Sequence, residues 1–255
     1  MGSLFARVFR QMDYTVLVSN EENTNNKELA QQGDVIIVSV PSEKTEKVVR
    51  EIGHDVRKDA LLTDFTSVKI KPVAAMMEYS QADIIGGHPL FGPDVDIIGQ
   101  NMILYPARGE EYLSWYKSTL ESLGLKVTFM NPEEHDRTMA VMHCLTHISN
   151  ISFAYALAKM DASKVQQDVT TPAYLLRVYA AAQMLSQDSL LYTGILSENT
   201  FAGEAAHAYG AAVKEVSALM QGGKKAELEE LLGTLKKEFE NHPALKTKKV
   251  RIIDE

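Results

Sequence analysis

His88 stands in GGHPLFGPD (86–94), directly after ADIIGG, an apolar run that reads as a β-strand. A histidine at the carboxyl end of a strand projects toward the edge where open α/β sheets hold their ligands. Its imidazole titrates near neutrality, so the chemistry on offer is general acid–base catalysis. Gly86 and Gly87 before it, and Pro89, Gly92 and Pro93 after it, shape a loop held in one course. Lone histidines are more often structural than catalytic; the strand-end setting reverses that preference here.

Two other stretches carry suitable groups. TDFTSVK (63–69) also leaves a strand end and offers the Ser67 hydroxyl and the Lys69 ammonium to the same edge. Ser67 reads equally as the N-cap of the helix that follows, and one hydroxyl can do both. EEHDRTMAVMHCLTH (133–147) places His143 and His147 four apart on one helical face. As a metal pair they are weak, because the glutamate of H-E-x-x-H is absent and no third ligand is evident; no metal is expected. His135 and Thr146, eleven apart, also fall close to one face, so two polar rows can look into a cleft.

These groups need elements to position them. YTVLVS (14–19), DVIIVSV (34–40), ALLTDF (60–65), ADIIGG (82–87), NMILYP (101–106) and LKVTFM (125–130) read as strands buried on both faces of a parallel sheet. SLFARVFRQM, SEKTEKVVREI, VKIKPVAAMMEY and EEYLSWYKSTLESLG between them are amphipathic helices, so residues 1–130 are expected to form a doubly wound, Rossmann-like α/β domain. After Asn131 the pattern turns helical. Asn131 is a natural N-cap, Pro132 fits the first helical position, and Glu133 and Glu134 complement the dipole. One helix is expected through Met160, with more at about 171–186, 202–221 and 224–241, and the tail KTKKVRIIDE is expected to be solvated. Residues 131–255 are thus expected to be all helical, and helices so apolar need a partner surface such as a second subunit.

The start of the chain bears on the cofactor. Gly2, an apolar helix and then YTVLVS look like the last glycine of G-x-G-x-x-G, whose helix N-terminus holds a pyrophosphate. MGSLFARVF then reads as the second half of that fingerprint, and a first strand with two glycines is expected before Met1. Gly2 and Ser3 would meet the pyrophosphate, and Ser39, Val40 and Pro41 would follow the next strand end beside it, with Ser67 beyond. The second strand ends Val18-Ser19-Asn20. A neutral pair there repels no 2′-phosphate, although no arginine stands ready to pair with one, and the lean is to NADP over NAD. Ser19 and Asn20 read about as well as plain turn residues.

Composition removes several function classes. A chain of 255 residues can bury a sizeable core, and a net charge of −8 with scattered Lys and Arg leaves no basic stripe for nucleic acid or an anionic membrane. Cys144 is alone, which fits a reducing cytoplasm and excludes an internal disulfide framework. No run approaches the ~20 apolar residues of a membrane span, and no signal-peptide pattern is present.

The set SVK (67–69), GGHPLFGPD, EEHD (133–136), T-P-A-Y (171–174) and S-Q-D (186–188) resembles the prephenate dehydrogenase family, including its arogenate-using relatives. The similarity runs from Met1 to about residue 240, with H-P-x-F-G-P its most specific part. It implies oxidative decarboxylation of prephenate to 4-hydroxyphenylpyruvate with hydride transfer to NAD(P), in tyrosine biosynthesis, by a cytoplasmic homodimer joined through its helices. It implies that His88 takes the proton of the 4-hydroxyl, that Ser67 orients hydroxyl and nicotinamide, and that His147 binds substrate, with His135 and Thr146 beside it. Gln183 falls where many members have an arginine for the ring carboxylate, and a glutamine supplies neither charge nor a bidentate fork. Arg177 lies six residues away on another helical face. Arogenate or 4-amino-4-deoxyprephenate is therefore the alternative substrate.

Two rivals stand beside this reading. β-Hydroxyacid dehydrogenases share the architecture but need a catalytic lysine early in the second domain, where 132–160 offers only Lys159 at its far end. A non-catalytic dimeric homologue with a degenerate nucleotide site is favoured by the incomplete fingerprint and Gln183, and opposed by His88 and Ser67 in full motif context.

Overall fold

The computed structural model describes residues 1–19, 25–161, 169–240 and 242. The chain forms two compact units, Met1–Ala205 and Ala206–Glu255. In chain order the first contains α1 (Gly2–Gln11), α2 (Asn26–Gln32), β1 (Val35–Val38), α3 (Ser42–Ile52), β2 (Leu61–Asp64), α4 (Ile70–Tyr79), β3 (Asp83–Pro89), β4 (Asn101–Arg108), α5 (Leu113–Ser122) and β5 (Lys126–Phe129). Then come α6 (Pro132–Met139), a π-helical segment (Ala140–Leu145), α7 (Thr146–Lys159), α8 (Pro172–Leu185), α9 (Ser189–Glu198), α10 (Ala202–Gln221) and α11 (Lys225–Glu240).

The strands form one sheet in the order β1-β2-β3-β4-β5, and apolar side chains bury both of its faces. One face packs Val49 and Ile52 of α3 and Val73 and Met76 of α4 against Val38, Leu62 and Ile84. The other packs Phe5 and Phe9 of α1 and Tyr116 and Leu120 of α5 against Leu61, Ile85 and Leu104. In α1 the apolar residues Leu4, Phe5, Val8 and Phe9 share one buried face, and the Phe5 and Phe65 rings lie 4.3 Å apart. This is a Rossmann-like layering followed by helices.

Four features depart from the sequence reading. YTVLVS (14–19) is not a strand; no described strand lies on that side of β1, so the segment has no ladder to join, and Leu17 and Val18 stand more than half exposed. β3 and β4 are antiparallel, pairing His88 with Ile103 and Pro89 with Met102, while the other pairs are parallel. The reason lies between them, where HPLFGPDVDIIGQ supplies no crossover helix and only a return loop remains. The long helix from Pro132 is interrupted by the π segment. Finally, α2 and α9 were not anticipated: NKELAQQ is short and polar, and SLLYTGILSE follows its Asp188 cap too closely on α8 to stand out. The tail KTKKVRIIDE lies outside the described residues, as does Asn20.

The second unit holds most of α10 and all of α11, and it exposes Val213, Met220, Leu232 and Phe239. No described helix is long and apolar enough to cross a membrane.

Candidate active site

The site begins at the carboxyl end of β2. Asp64 is fully buried there and accepts hydrogen bonds from Thr66 N at 2.9 Å and Gly87 N at 3.1 Å, and it pairs with the buried Lys69 ammonium. Lys69 therefore does not reach the open sheet edge expected of it; burial pushes its pKa down, with Asp64 opposing. Gly87 is required by this close approach, because a Cβ would sit 2.7 Å from the Asp64 carbonyl oxygen. Gly86 and Gly87 thus serve strand packing inside β3 rather than a loop.

α4 starts at Ile70, and Ser67 does not cap it. Its first amides donate instead to a carboxylate far along the chain: Lys69 N to Asp136 Oδ1 at 2.7 Å and Ile70 N to Asp136 Oδ2 at 3.0 Å. α6 delivers Asp136 because Asn131 caps it, accepting from Glu134 N at 2.9 Å, with Pro132 at its start. The Ser67 hydroxyl lies 3.3 Å from that of Ser42 at the head of α3, just past Pro41.

His88 is the penultimate residue of β3 and is 4% exposed. Its Nδ1 is 2.8 Å from His135 Nε2, and His135 Nδ1 is 2.7 Å from Asp136 Oδ1. Among the described residues no hydrogen bond engages His88 Nε2. Burial, then His135, Lys69 and His143, push the His88 pKa well below the usual imidazole value, so the ring is neutral at physiological pH. His135 is fully buried and its pKa is also lowered, by desolvation with Asp136 opposing. It is bonded on both ring nitrogens, to His88 on one side and Asp136 on the other.

Along the next turns, the His143 ring lies 5.4 Å from His88 and 6.0 Å from His147, and Tyr192 of α9 closes edge-on to His147 at 4.7 Å. Residues of a π-helix rotate less per step than those of an α-helix, and the π segment returns His143 to the His88 side after His135. The Nδ1 atoms of His143 and His147 are buried with no partner among the described residues. Desolvation lowers both pKa values, His143 to about 4. Thr146 is exposed, and its carbonyl accepts from the Ser149 hydroxyl at 2.8 Å. No set of three His, Cys, Asp or Glu side chains among the described residues is arranged to hold a metal ion.

At the nucleotide end, Gly2 opens α1 against Ser39, whose side chain a Cβ at Gly2 would approach to 3.3 Å. α1 has no side-chain cap and no acidic residue in its first turn, so its leading amides, Ser3 included, remain donors for an anion. Ser39, Val40 and Pro41 follow β1 and lead into α3, with Ser39 against the start of α1. Ser19 instead donates to Asn26 Oδ1 at 2.6 Å. Gln183 stands apart on the exposed side of α8, in an open hollow of about 620 Å³ with Leu176, Tyr179 and Ser186. Arg177 meets Asn150 Oδ1 at 3.5 Å, one helical turn past His147, and lies over the Phe153 ring at 5.1 Å.

The sequence reading assigns no role to Asp64, Asp136 or Tyr192, and it places His143 only in a polar row facing a cleft, with no link to His88. The signals were present: a carboxylate inside the apolar run ALLTDF, another directly beside His135, and a histidine four residues before His147.

The class defined by these features is a Rossmann-like α/β fold, its strand-end histidine meeting a histidine-bearing helix, followed by a helical part. A family model described as prephenate dehydrogenase, nucleotide-binding domain, matches residues 13–128, and one described as prephenate dehydrogenase, dimerization domain, matches 131–236. The chain belongs to the prephenate dehydrogenase family. It is 30% identical over 243 residues to a probable arogenate/prephenate dehydrogenase of Methanocaldococcus jannaschii, covering 87% of this chain and 54% of that protein. It is 28% identical to the T-protein of Enterobacter agglomerans over 77% of this chain and 53% of that one, so the chain spans about half the length of these curated relatives. The crystal structure of prephenate dehydrogenase from Aquifex aeolicus shares the fold with a TM-score of 0.72 at 21% identity, covering 94% of this chain and 96% of that chain.

Proposed function

We propose that this chain oxidatively decarboxylates prephenate, or its close relative arogenate, using NAD or NADP, with residues 1–130 binding nucleotide and 131–255 binding substrate and dimerising. The observation that carries this reading is His88: a neutral imidazole at a strand end, hydrogen-bonded among the described residues through Nδ1 alone, with Nε2 left for a substrate hydroxyl. Bound NAD(P)+ supplies the hydride acceptor for the ring carbon that bears the hydroxyl. His88 takes the hydroxyl proton as the carbonyl forms. Loss of carbon dioxide from the opposite carbon sends its bonding pair into the ring and onto that oxygen, and His88 returns the proton to the phenolate. Atoms and charge balance without a further acid, and aromatisation drives the step.

The other residues bind and orient. His147 and His143 offer ring nitrogens to the substrate from the α7 side, and Tyr192 walls the site beyond them. Ser67 lies beside Ser42 at the turn after β1, next to the loop we assign to the phosphates, and we assign it the orienting of hydroxyl and nicotinamide. With Gln183 on an open hollow, Arg177 is the cation we assign to a substrate carboxylate, because it reaches the turn of α7 that follows His147. The exposed apolar residues Tyr179 and Leu185 of α8 and Leu190 and Leu191 of α9 support a homodimer, and the single, buried, free Cys144 fits the cytosol. The lean to NADP rests on Ser19 alone among the described residues.

The test follows reduced-nucleotide absorbance with prephenate and arogenate, each against NAD and NADP. Reduction with at least one substrate, accompanied by carbon dioxide release, is expected. No reduction with any pair, at protein concentrations where nucleotide binding is measured, overturns the reading.

A further inference from the structure

We propose that Asp136 and His135 are positioning residues that fix the tautomer of His88, holding its proton on Nδ1 so that Nε2 is the bare, proton-accepting nitrogen. The inference rests on His88 being the base, and it assigns a task to two buried side chains that never reach substrate.

The chain of reasoning starts at the carboxylate. Asp136 oxygens only accept, and they already receive the Lys69 and Ile70 amides at the start of α4. The third neighbour, His135 Nδ1 at 2.7 Å, must therefore carry a hydrogen. A neutral His135 then has its lone pair on Nε2, which faces His88 Nδ1 at 2.8 Å. That lone pair requires a donor, so His88 bears its hydrogen on Nδ1 and leaves Nε2 free. If His135 were instead a cation, its Nε2–H would donate to His88 Nδ1 and put the His88 hydrogen on Nε2, the wrong tautomer for a base.

The surroundings oppose that cation. His135 is fully buried, and the charged or titratable groups facing the chain are Lys69, Asp64, Asp136, His88 and His143. Lys69 and Asp64 neutralise each other as a pair, which leaves Asp136 as the directional end. When His88 Nε2 takes the substrate proton, the imidazolium Nδ1–H already points through His135 toward a carboxylate. No proton has to leave His88 for the charge to be stabilised. The carboxylate is itself pinned by two backbone amides, so the row is set before substrate arrives.

Three variants and one spectrum test this. Asp136→Asn removes the charge and leaves one oxygen for three donors, because Lys69 N and His135 Nδ1 share Oδ1 while Ile70 N takes Oδ2, so the hold on the His135 Nδ1 hydrogen weakens and with it the bias of the His88 tautomer. We expect kcat to fall about 10²-fold or more with KM within about 3-fold. His135→Leu should fall similarly, while His135→Gln, whose oxygen can accept from His88 and whose nitrogen can donate to Asp136, should recover about tenfold of that loss. Nitrogen-15 NMR of histidine-labelled protein, without substrate or nucleotide, should show His88 protonated on Nδ1 in the wild type and a larger Nε2-protonated fraction in Asp136→Asn. Wild-type His88 protonated on Nε2 overturns the proposal, as does equal kcat in the wild type, His135→Leu and His135→Gln. If Asp136→Asn fails to fold because it loses the α4 cap, the wild-type spectrum and the His135 pair decide. The spectrum reads the tautomer independently of turnover, so an active His88→Asn enzyme would instead overturn the role of His88 as base.

Discussion

Two polar regions meet at His88, and they are finished to different degrees. On the sheet side Asp64 accepts from Thr66, Gly87 and Lys69, Asp136 accepts from Lys69, Ile70 and His135, and His135 bonds His88. On the α7 side His143 and His147 each keep a buried Nδ1 with no partner among the described residues. The difference separates two tasks. On the proposed reading, His88 is held in one protonation state by bonds from the protein alone, whereas His143 and His147 keep hydrogen-bonding capacity in reserve for a ligand.

Breaking the finished side should cost most. His88→Asn is expected to lower kcat by roughly 10²–10⁴ while the fold survives. Steady-state kinetics with the circular dichroism spectrum checks both, and near-normal turnover would contradict the assignment. Lys69→Met leaves Asp64 buried without its cation, and denaturant unfolding should show a loss of about 3–5 kcal/mol. A loss below about 1 kcal/mol would mean that the pair matters little to the fold.

The unfinished side should respond in binding. His147→Gln is expected to raise KM about tenfold with kcat within about 3-fold, because on the proposed reading His147 binds the substrate and accepts no proton from it. His143 provides a pH signature. Its folded pKa of about 4 lies below the ordinary 6.5, so between those values the unfolded chain binds more protons, and stability is lost as pH falls through that window. The fall in melting temperature from pH 7 to pH 5 should be smaller in His143→Gln than in the wild type. At the nucleotide end Gly2→Val crowds Ser39, where a Cβ would stand at 3.3 Å, and should weaken NAD(P) binding by about 3- to 10-fold in a fluorescence titration.

Much of this was legible in the sequence, for identifiable reasons. Five of the six strand readings and the helices at 42–52, 202–221 and 224–241 came from apolar periodicity, which burial on the two sheet faces and helix geometry enforce locally. YTVLVS failed because strand formation depends on a neighbour, which composition does not reveal. His88 was readable from its strand-end motif. Asp136 was not, because its meaning comes from capping a helix 66 residues earlier in the chain. Likewise the π turn that aligns His143 with His88 leaves no mark in an i, i+4 pattern, and Lys69 reads as a surface cation until the buried Asp64 is seen beside it.

The most direct test of the central claim is the pH dependence of kcat/KM for the wild-type enzyme. His88 must be unprotonated to accept the hydroxyl proton, and its folded pKa lies below the ordinary imidazole value. The account therefore predicts full activity already at pH 6.5, with an acid limb only below it. An acid limb centred at or above pH 6.5 would show that His88 is not held as a neutral base, and would contradict the account.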